Sequence, residues 1–404
     1  VSVALVRISE LIGQPRVTAF LRGVVAGGRP GPAYLLHGPA GVGKGAAALA
    51  FARALMCERA AGAPRAAQGG LFDAPPGPPV AAPADDACGA CPTCAKTATL
   101  QHPDLKVLFP VSGEEKTLDA TIAETLQAMR DDPLHVFVYE KAASIRLSVT
   151  RELLRELAYK PFEAARRVVV VRDADRMRED QYSAMLKSIE EPGASTVWVL
   201  TTARASRLPA TIRSRCQRVR LAPLAEPLVA SFLEERAGCE APAARMLAAL
   251  SGGSLARAIA LRAEDPREMR DEALALLGPA LARDAAGLWK IAQGFMKYGR
   301  TGRETLRRMV EFHLLWLRDL LRAGAGAPRE ALVNRDRERE VRAQAAGVSA
   351  AEVRRRVMVL EEMLRAIEGN VTPELALFSG MTRVAGAHTG EGDWPRHPTA
   401  RWQY

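Results

Sequence analysis

Residues 33–38, "AYLLHG", form a short apolar run that stops at glycine, and this spacing predicts a buried strand. The following "GKGAAALAFARALM" (43–56) is dense in helix formers and predicts a helix ending beside Cys57. Further strands are expected at "DLKVLFP" (Asp104–Pro110) and "HVFVYE" (His135–Glu140), separated by a polar, helix-prone insert at 111–134. "VTRELLRELAYKP" has the period of an amphipathic helix stopped by Pro161. "RRVVVVRDADRM" is a β-branched run of the kind buried on both faces of a parallel sheet. A helix over "QYSAMLKSIEEPG", terminated at Pro192, then precedes a strand at "TVWVLTT" (Thr196–Thr202). Strands alternating with helices predict an α/β layer with a parallel sheet, which binds ligands at the carboxyl ends of its strands.

Strand signals stop near Pro223. From there helical patterns are punctuated by "LSGGS", "RAGAGAP" and "GNVTP". The expected organisation is an α/β domain over 1–222, a small helical domain over 223–265, a larger all-α domain over 266–382 and a loose tail over 383–404. Residues 59–87 are Pro, Gly and Ala with few large apolar side chains, which predicts a flexible excursion. The 404 residues suffice for two or three cores, and no apolar run approaches the ~18 residues of a membrane span. "VSVALVRISE" is broken by Arg7 and Glu10 too early for a signal sequence, so a cytoplasmic location is expected. A net charge of +10 suits a phosphate-bearing or acidic partner, but the arginines are spread along the whole chain and a compositional bias explains them equally well.

Two motifs carry chemistry. "CGACPTC" supplies Cys88, Cys91 and Cys94 at metal-knuckle spacing, and Cys57 upstream completes four thiolates. Structural zinc is the leading expectation, since a closed set of four sulfurs leaves no open coordination position. Free thiols, disulfides and an iron–sulfur cluster are the alternatives. "HGPAGVGKGA" matches the phosphate-binding loop G-x-x-x-x-G-K-[ST] through Gly38, Gly41, Gly43 and Lys44, but Gly45 stands where a hydroxyl should meet magnesium. The backbone cradle and the lysine are kept while the metal ligand is gone, which leaves ATP binding open and disfavours hydrolysis.

"IGQ", "AYLLHGPAGVGK", the four cysteines, "HPDL", "AMLKSIEEPG" and "LPATIRSRC" together resemble the bacterial clamp-loader AAA+ subunits of the DNA polymerase III holoenzyme, over about residues 8–260. "LVNRD" and "NVTPELAL" are similar to the collar domain of the delta-prime kind. The resemblance implies an AAA+ P-loop domain with a zinc module at about 57–94, a helical lid and a helical collar. It also implies partners: gamma/tau and delta subunits in a hetero-oligomeric ring, and through them the sliding clamp and primed DNA, with no membrane.

An ATPase of this family ends its second acidic strand with Asp-Glu. Here Arg172 falls at the Asp position and Asp173 at the Glu position, and a one-residue slip gives Asp173 and Ala174. Asp175 is expected to be a solvated helix-start residue. Thr202 matches the first sensor, and Ala256 replaces the lid arginine, with Arg257 one position on. The motif "SRC" is intact, so Arg215 is the candidate arginine finger reaching a neighbour's ATP in trans, against the reading of an ordinary surface arginine. Glu190 and Glu191 are expected at a solvated or interface-facing helix end. The resemblance therefore implies a delta-prime-like subunit with a degenerate ATPase site. An active gamma/tau-type ATPase and a zinc-bearing scaffold unrelated to replication are the rivals.

Overall fold

The computed structural model describes residues 7–60, 85–111, 118–131, 144–191, 195–262, 265–282, 284–296, 299–368 and 371–385. The strand expected at His135–Glu140, most of the excursion at 59–87 and the end of the tail lie outside them. Two compact units emerge: Val1–Phe232 with Ser251–Ile259, and Leu233–Leu250 with Ala260–Tyr404. The segment 223–265 contributes to both.

The first unit is built on five parallel strands, β1 (Ala33–His37), β2 (Leu105–Leu108), β3 (Arg167–Val171), β4 (Thr196–Thr202) and β5 (Gln217–Arg220), in the order β2-β3-β4-β1-β5. Its helices are α1 (Pro15–Ala26), α2 (Lys44–Met56), α3 (Pro92–Ala98), α4 (Leu118–Asp131), α5 (Leu147–Leu157), α6 (Glu179–Glu190) and α7 (Ala210–Arg215). Alternate strand residues face opposite ways, so each sheet face needs its own cover. Tyr34, Leu36, Val168 and Val170 pack with Phe51 and Leu55 of α2, whereas Leu35, Val169, Val171 and Trp198 pack with Leu153, Met185 and Ile189 of α5 and α6. The continuous valine run of β3 is buried at every position, as strands covered on both faces must be.

β5 carries no strand signal in the sequence. It is an edge strand reading "QRVR", and among its residues only Val219 is buried, so its pairing with β1 and not its hydrophobicity makes it a strand. Within the insert at 111–134, the helix expected from composition is α4.

Further helices are α8 (Glu226–Ala237), α9 (Ala241–Leu250), α10 (Leu255–Leu261), α11 (Pro266–Ala275), α12 (Leu277–Leu281), α13 (Ala285–Met296), α14 (Gly299–Gly324), α15 (Glu338–Gly347), α16 (Ala350–Glu368) and α17 (Pro373–Ala385). In the second unit Trp316, Leu317 and Leu320 of α14 are buried in one core with other helices, and Phe312 of the same helix is buried too. The "LVNRD" segment is pinned by chemistry. Asp319, fully buried, accepts from the backbone N–H of Val333 (3.0 Å) and Asn334 (2.8 Å) and from Asn334 Nδ2 (2.9 Å). Asp336 meets the buried Arg270 at 2.8 Å. A carboxylate is affordable there because its lone pairs are met by N–H donors.

Candidate nucleotide site and four-cysteine centre

The glycine loop leaves β1 at the sheet's carboxyl edge, between β4 and the edge strand β5, where doubly wound sheets place their ligands. Gly38, Gly41 and Gly43 carry the chain into α2. At Gly41 the backbone has φ +74°, and a Cβ there would lie 2.0 Å from Ser254 Oγ, so only glycine fits. Lys44 is buried, and its ammonium donates to the carbonyls of Gly38 (2.8 Å) and Pro39 (2.5 Å). Burial pulls its pKa down to about 8; the Arg172 charge pulls the same way, and Asp173 and Asp175 pull against it.

The position of Arg172 is the finding that sequence could not supply. A Cβ on Gly45 would lie 2.8 Å from Arg172 Cζ, 2.9 Å from Nη2 and 3.0 Å from Nε. The guanidinium thus covers the spot where the loop's missing hydroxyl side chain would stand. Asp173, next along, adopts the left-handed region at φ +47°, and its N–H donates to Thr201 Oγ1 at 3.1 Å.

Asp175 corrects the expectation of a solvated helix start. Its side chain is 3% exposed, with Oδ1 accepting from Thr202 Oγ1 at 2.7 Å and Oδ2 from Arg204 Nε at 3.0 Å. Thr202, the sensor candidate, is fully buried and is committed to this carboxylate. Ala256, at the lid-arginine position, is buried against the loop, its N–H donating to Gly41 O at 3.3 Å. A methyl group there brings no charge to a phosphate.

Beside the loop lies an apolar hollow of about 350 Å³, part of it open to solvent, lined by Leu11, Val42, Gly43, Ala46, Leu221 and Leu255. The "IGQ" motif serves its wall: Gln14 donates to Ala222 O at 2.7 Å and accepts from Ala222 N–H at 3.2 Å, tying the N-terminal segment to the end of β5.

Arg215 sits at the last turn of the six-residue α7, whose inward residue is Ile212. Its side chain is 39% exposed; Nη2 meets Glu190 Oε1 at 2.7 Å and Nη1 donates to Thr211 O at 3.0 Å. Glu190, expected at a solvated or interface-facing helix end, is therefore an ion-pair partner. Cys216 is buried, and burial pushes its thiol up to about 11, which suits a small core residue better than a nucleophile.

Cys57, Cys88, Cys91 and Cys94 are all buried, and their sulfurs lie within 4.8 Å of one another. The pairs Cys57–Cys91 and Cys88–Cys94 are 4.0 and 3.9 Å apart, where a tetrahedral ion bound at ~2.3 Å to each sulfur requires roughly 3.8 Å. Backbone N–H groups point at the sulfurs: Cys88 N to Cys57 Sγ (3.3 Å), Cys91 N to Cys88 Sγ (3.3 Å) and Cys94 N to Cys91 Sγ (3.4 Å). Such donors stabilise thiolates and orient them, and the donor set fits a structural metal ion. All four are free thiols, so the disulfide alternative is not realised.

"HPDL" is a clamp beside this centre. Asp104, fully buried, accepts from the N–H groups of Phe162 (2.7 Å), Glu163 (2.8 Å) and Ala164 (2.9 Å), while His102 Nδ1 accepts from Asp104 N–H at 3.1 Å. Burial pushes the Asp104 carboxyl up, but those donors and the Arg167 charge outweigh it, leaving its pKa below the ordinary value. His102 O closes the turn by accepting from Leu105 N–H at 3.0 Å.

A central parallel sheet, a glycine loop opening a helix and a lid segment folded over that loop define an AAA+ P-loop protein. Residues 80–225 match the family described as DNA polymerase III, delta subunit. The DNA polymerase III subunit delta' of Pseudomonas aeruginosa is 33% identical over 242 residues, which is 59% of this chain and 58% of that protein. The delta' subunit of Bacillus subtilis is 24% identical over 360 residues, covering 89% and 92% of the two chains. The gamma/tau subunit of Mycobacterium tuberculosis is 28% identical over 402 residues, covering 91% and 59%. The chain is similar to the delta' and gamma/tau subunits of DNA polymerase III, and it spans less than two thirds of the length of the Pseudomonas and Mycobacterium relatives.

Proposed function

We propose that this chain works in the cytoplasm as a delta-prime-like subunit of a DNA polymerase III clamp loader. It stands in a ring with gamma/tau and delta subunits that opens the sliding clamp and sets it on primed DNA. Its own ATPase site is degenerate, and Arg215 reaches the γ-phosphate held by a neighbour. One contrast carries this reading: a guanidinium covers the loop where magnesium chemistry would begin, while another guanidinium is exposed at the end of a short helix. Hydrolysis needs a metal to neutralise charge and a base to orient water; a trans finger needs only reach and charge. In the neighbour's site Arg215 would give up Glu190 and take phosphate oxygens. Zinc held by Cys57, Cys88, Cys91 and Cys94 fastens the end of α2 to α3 and does no chemistry on substrate.

The test is Arg215→Ala in the reconstituted loader. The expected result is a folded chain and a loader with depressed ATP hydrolysis; an undiminished rate defeats the proposal. A second reading, a working gamma/tau-type ATPase, draws on the alignment with gamma/tau along 91% of the chain. Turnover by the isolated chain that disappears in Lys44→Ala would establish that reading instead.

A further inference from the structure

We infer that Arg172 takes the place of the magnesium ion, so that the loop of this chain holds the phosphates of a nucleoside diphosphate or triphosphate without a divalent cation. This rests on the loop's being a nucleotide cradle and specifies how that cradle is neutralised.

Three observations converge. First, all three guanidinium atoms nearest the loop, Cζ, Nη2 and Nε of Arg172, lie 2.8–3.0 Å from where a side chain at position 45 would begin. Gly45 and Arg172 are thus a matched pair. Serine or threonine at 45 would push the guanidinium off the loop, and a carboxylate at 172 would leave the loop without this charge. Second, Asp175, an acid beside the loop that could help recruit a metal, is engaged elsewhere, held by Thr202 and Arg204. Third, the organic half of a nucleotide has a place to go, since the apolar hollow is bordered by Val42, Gly43 and Ala46 of the loop and of α2 itself.

A phosphate loop ordinarily meets its polyphosphate with one lysine and one divalent ion. Here Lys44 and Arg172 are the cations at hand, and a guanidinium supplies paired N–H donors in the planar geometry that phosphate oxygens accept. Such a cradle binds without the water-activating and charge-neutralising metal that hydrolysis requires, so a bound nucleotide would be retained unhydrolysed.

The experiment is a fluorescence titration of the purified full-length chain with N-methylanthraniloyl-ADP, in excess EDTA and in excess magnesium. The expected dissociation constants agree within about twofold. Arg172→Ala should weaken binding in EDTA by roughly ten- to a hundredfold, the usual loss of charged hydrogen bonds to an anion. Gly45→Ser/Arg172→Asp, which removes the guanidinium and returns an oxygen ligand to each position, should make binding depend on magnesium. Should either variant fold poorly, the two titrations of the unaltered chain decide alone. Tightening by magnesium of tenfold or more overturns the inference, and so does an absence of binding in both buffers. Neither result touches the trans role of Arg215, which stands or falls with ATP hydrolysis by the assembled loader.

Discussion

Arg172 and Arg215 are the same side chain in opposite settings. Arg172 follows four buried valines and lies over the protein's own loop, where it fills space and supplies charge. Arg215 ends a six-residue helix, is 39% exposed, and is held by one carboxylate that is itself 34% exposed. The Arg172 guanidinium lies against Gly45 of the same chain, so its charge falls on this chain's own loop. A half-exposed ion pair is weak, typically below about 1 kcal/mol, and can be exchanged for a better anion. The contrast teaches that one of these arginines is placed against its own loop while the other is held at the surface by an exchangeable ion pair.

The largest effect that could break the comparison is in the assembled loader. Arg215→Ala should lower hydrolysis at the adjoining site by about a thousandfold, and Arg215→Lys should restore little because the fork is lost. Single-turnover hydrolysis with the parent and variant loaders measures it. If the two arginines prove interchangeable in cost, the division of labour is wrong.

Next in size is the cysteine centre, which neither arginine touches. Cys88→Ser, or a strong chelator, should release one equivalent of zinc by metal analysis and lower the melting midpoint by upwards of roughly 10 °C, since metal binding free energy becomes folding free energy. A chain that melts unchanged and holds no metal would remove zinc from the account.

A pH series sharpens the picture of the buried loop. Lys44 has its pKa pulled from 10.5 to about 8, mainly by burial. Between those values the unfolded chain binds a proton that the folded chain has released, so this group makes stability rise with pH across that window. The slope is at most about 1.4 kcal/mol per pH unit, and below pH ~8 the desolvation cost is fully present. Lys44→Met should flatten the dependence of the melting midpoint between pH 8 and 10 relative to the parent. An identical slope in both proteins contradicts the burial argument.

The smallest expected effect is that of Glu190→Gln. Removing one side of a surface pair should change stability by less than about 1 kcal/mol, while freeing Arg215 to engage phosphate with a weaker salt dependence. Hydrolysis by the loader at low and high salt reads this directly. A large loss of stability would mean that Arg215 is pinned within its own fold.

Much of this was legible along the chain, for identifiable reasons. β1, β3 and β4 announce themselves because strands buried on both faces must be apolar throughout, and the cysteine spacing is itself a coordination geometry. The stripe from Phe312 to Leu321 repeats with the turn of a helix. β5 was hidden because an edge strand that buries Val219 alone has no apolar pattern to display. Asp175 was misjudged since its partners, Thr202 and Arg204, are 27 and 29 residues away. Glu190 was set aside for the same reason: Arg215 comes to it through the packing of α7 against α6, which no local rule anticipates.

By itself the sequence determined the alternation of strands and helices, the four sulfurs, the loss of a hydroxyl at Gly45 and the retention of an arginine at 215, because each depends on side-chain type and short-range spacing. Which groups meet was decided by tertiary structure alone. The guanidinium over Gly45, the carboxylate of Asp175 on Thr202 and the pairing of Arg215 with Glu190 join residues distant along the chain. Burial and charge, acting through space, sort them into neighbours.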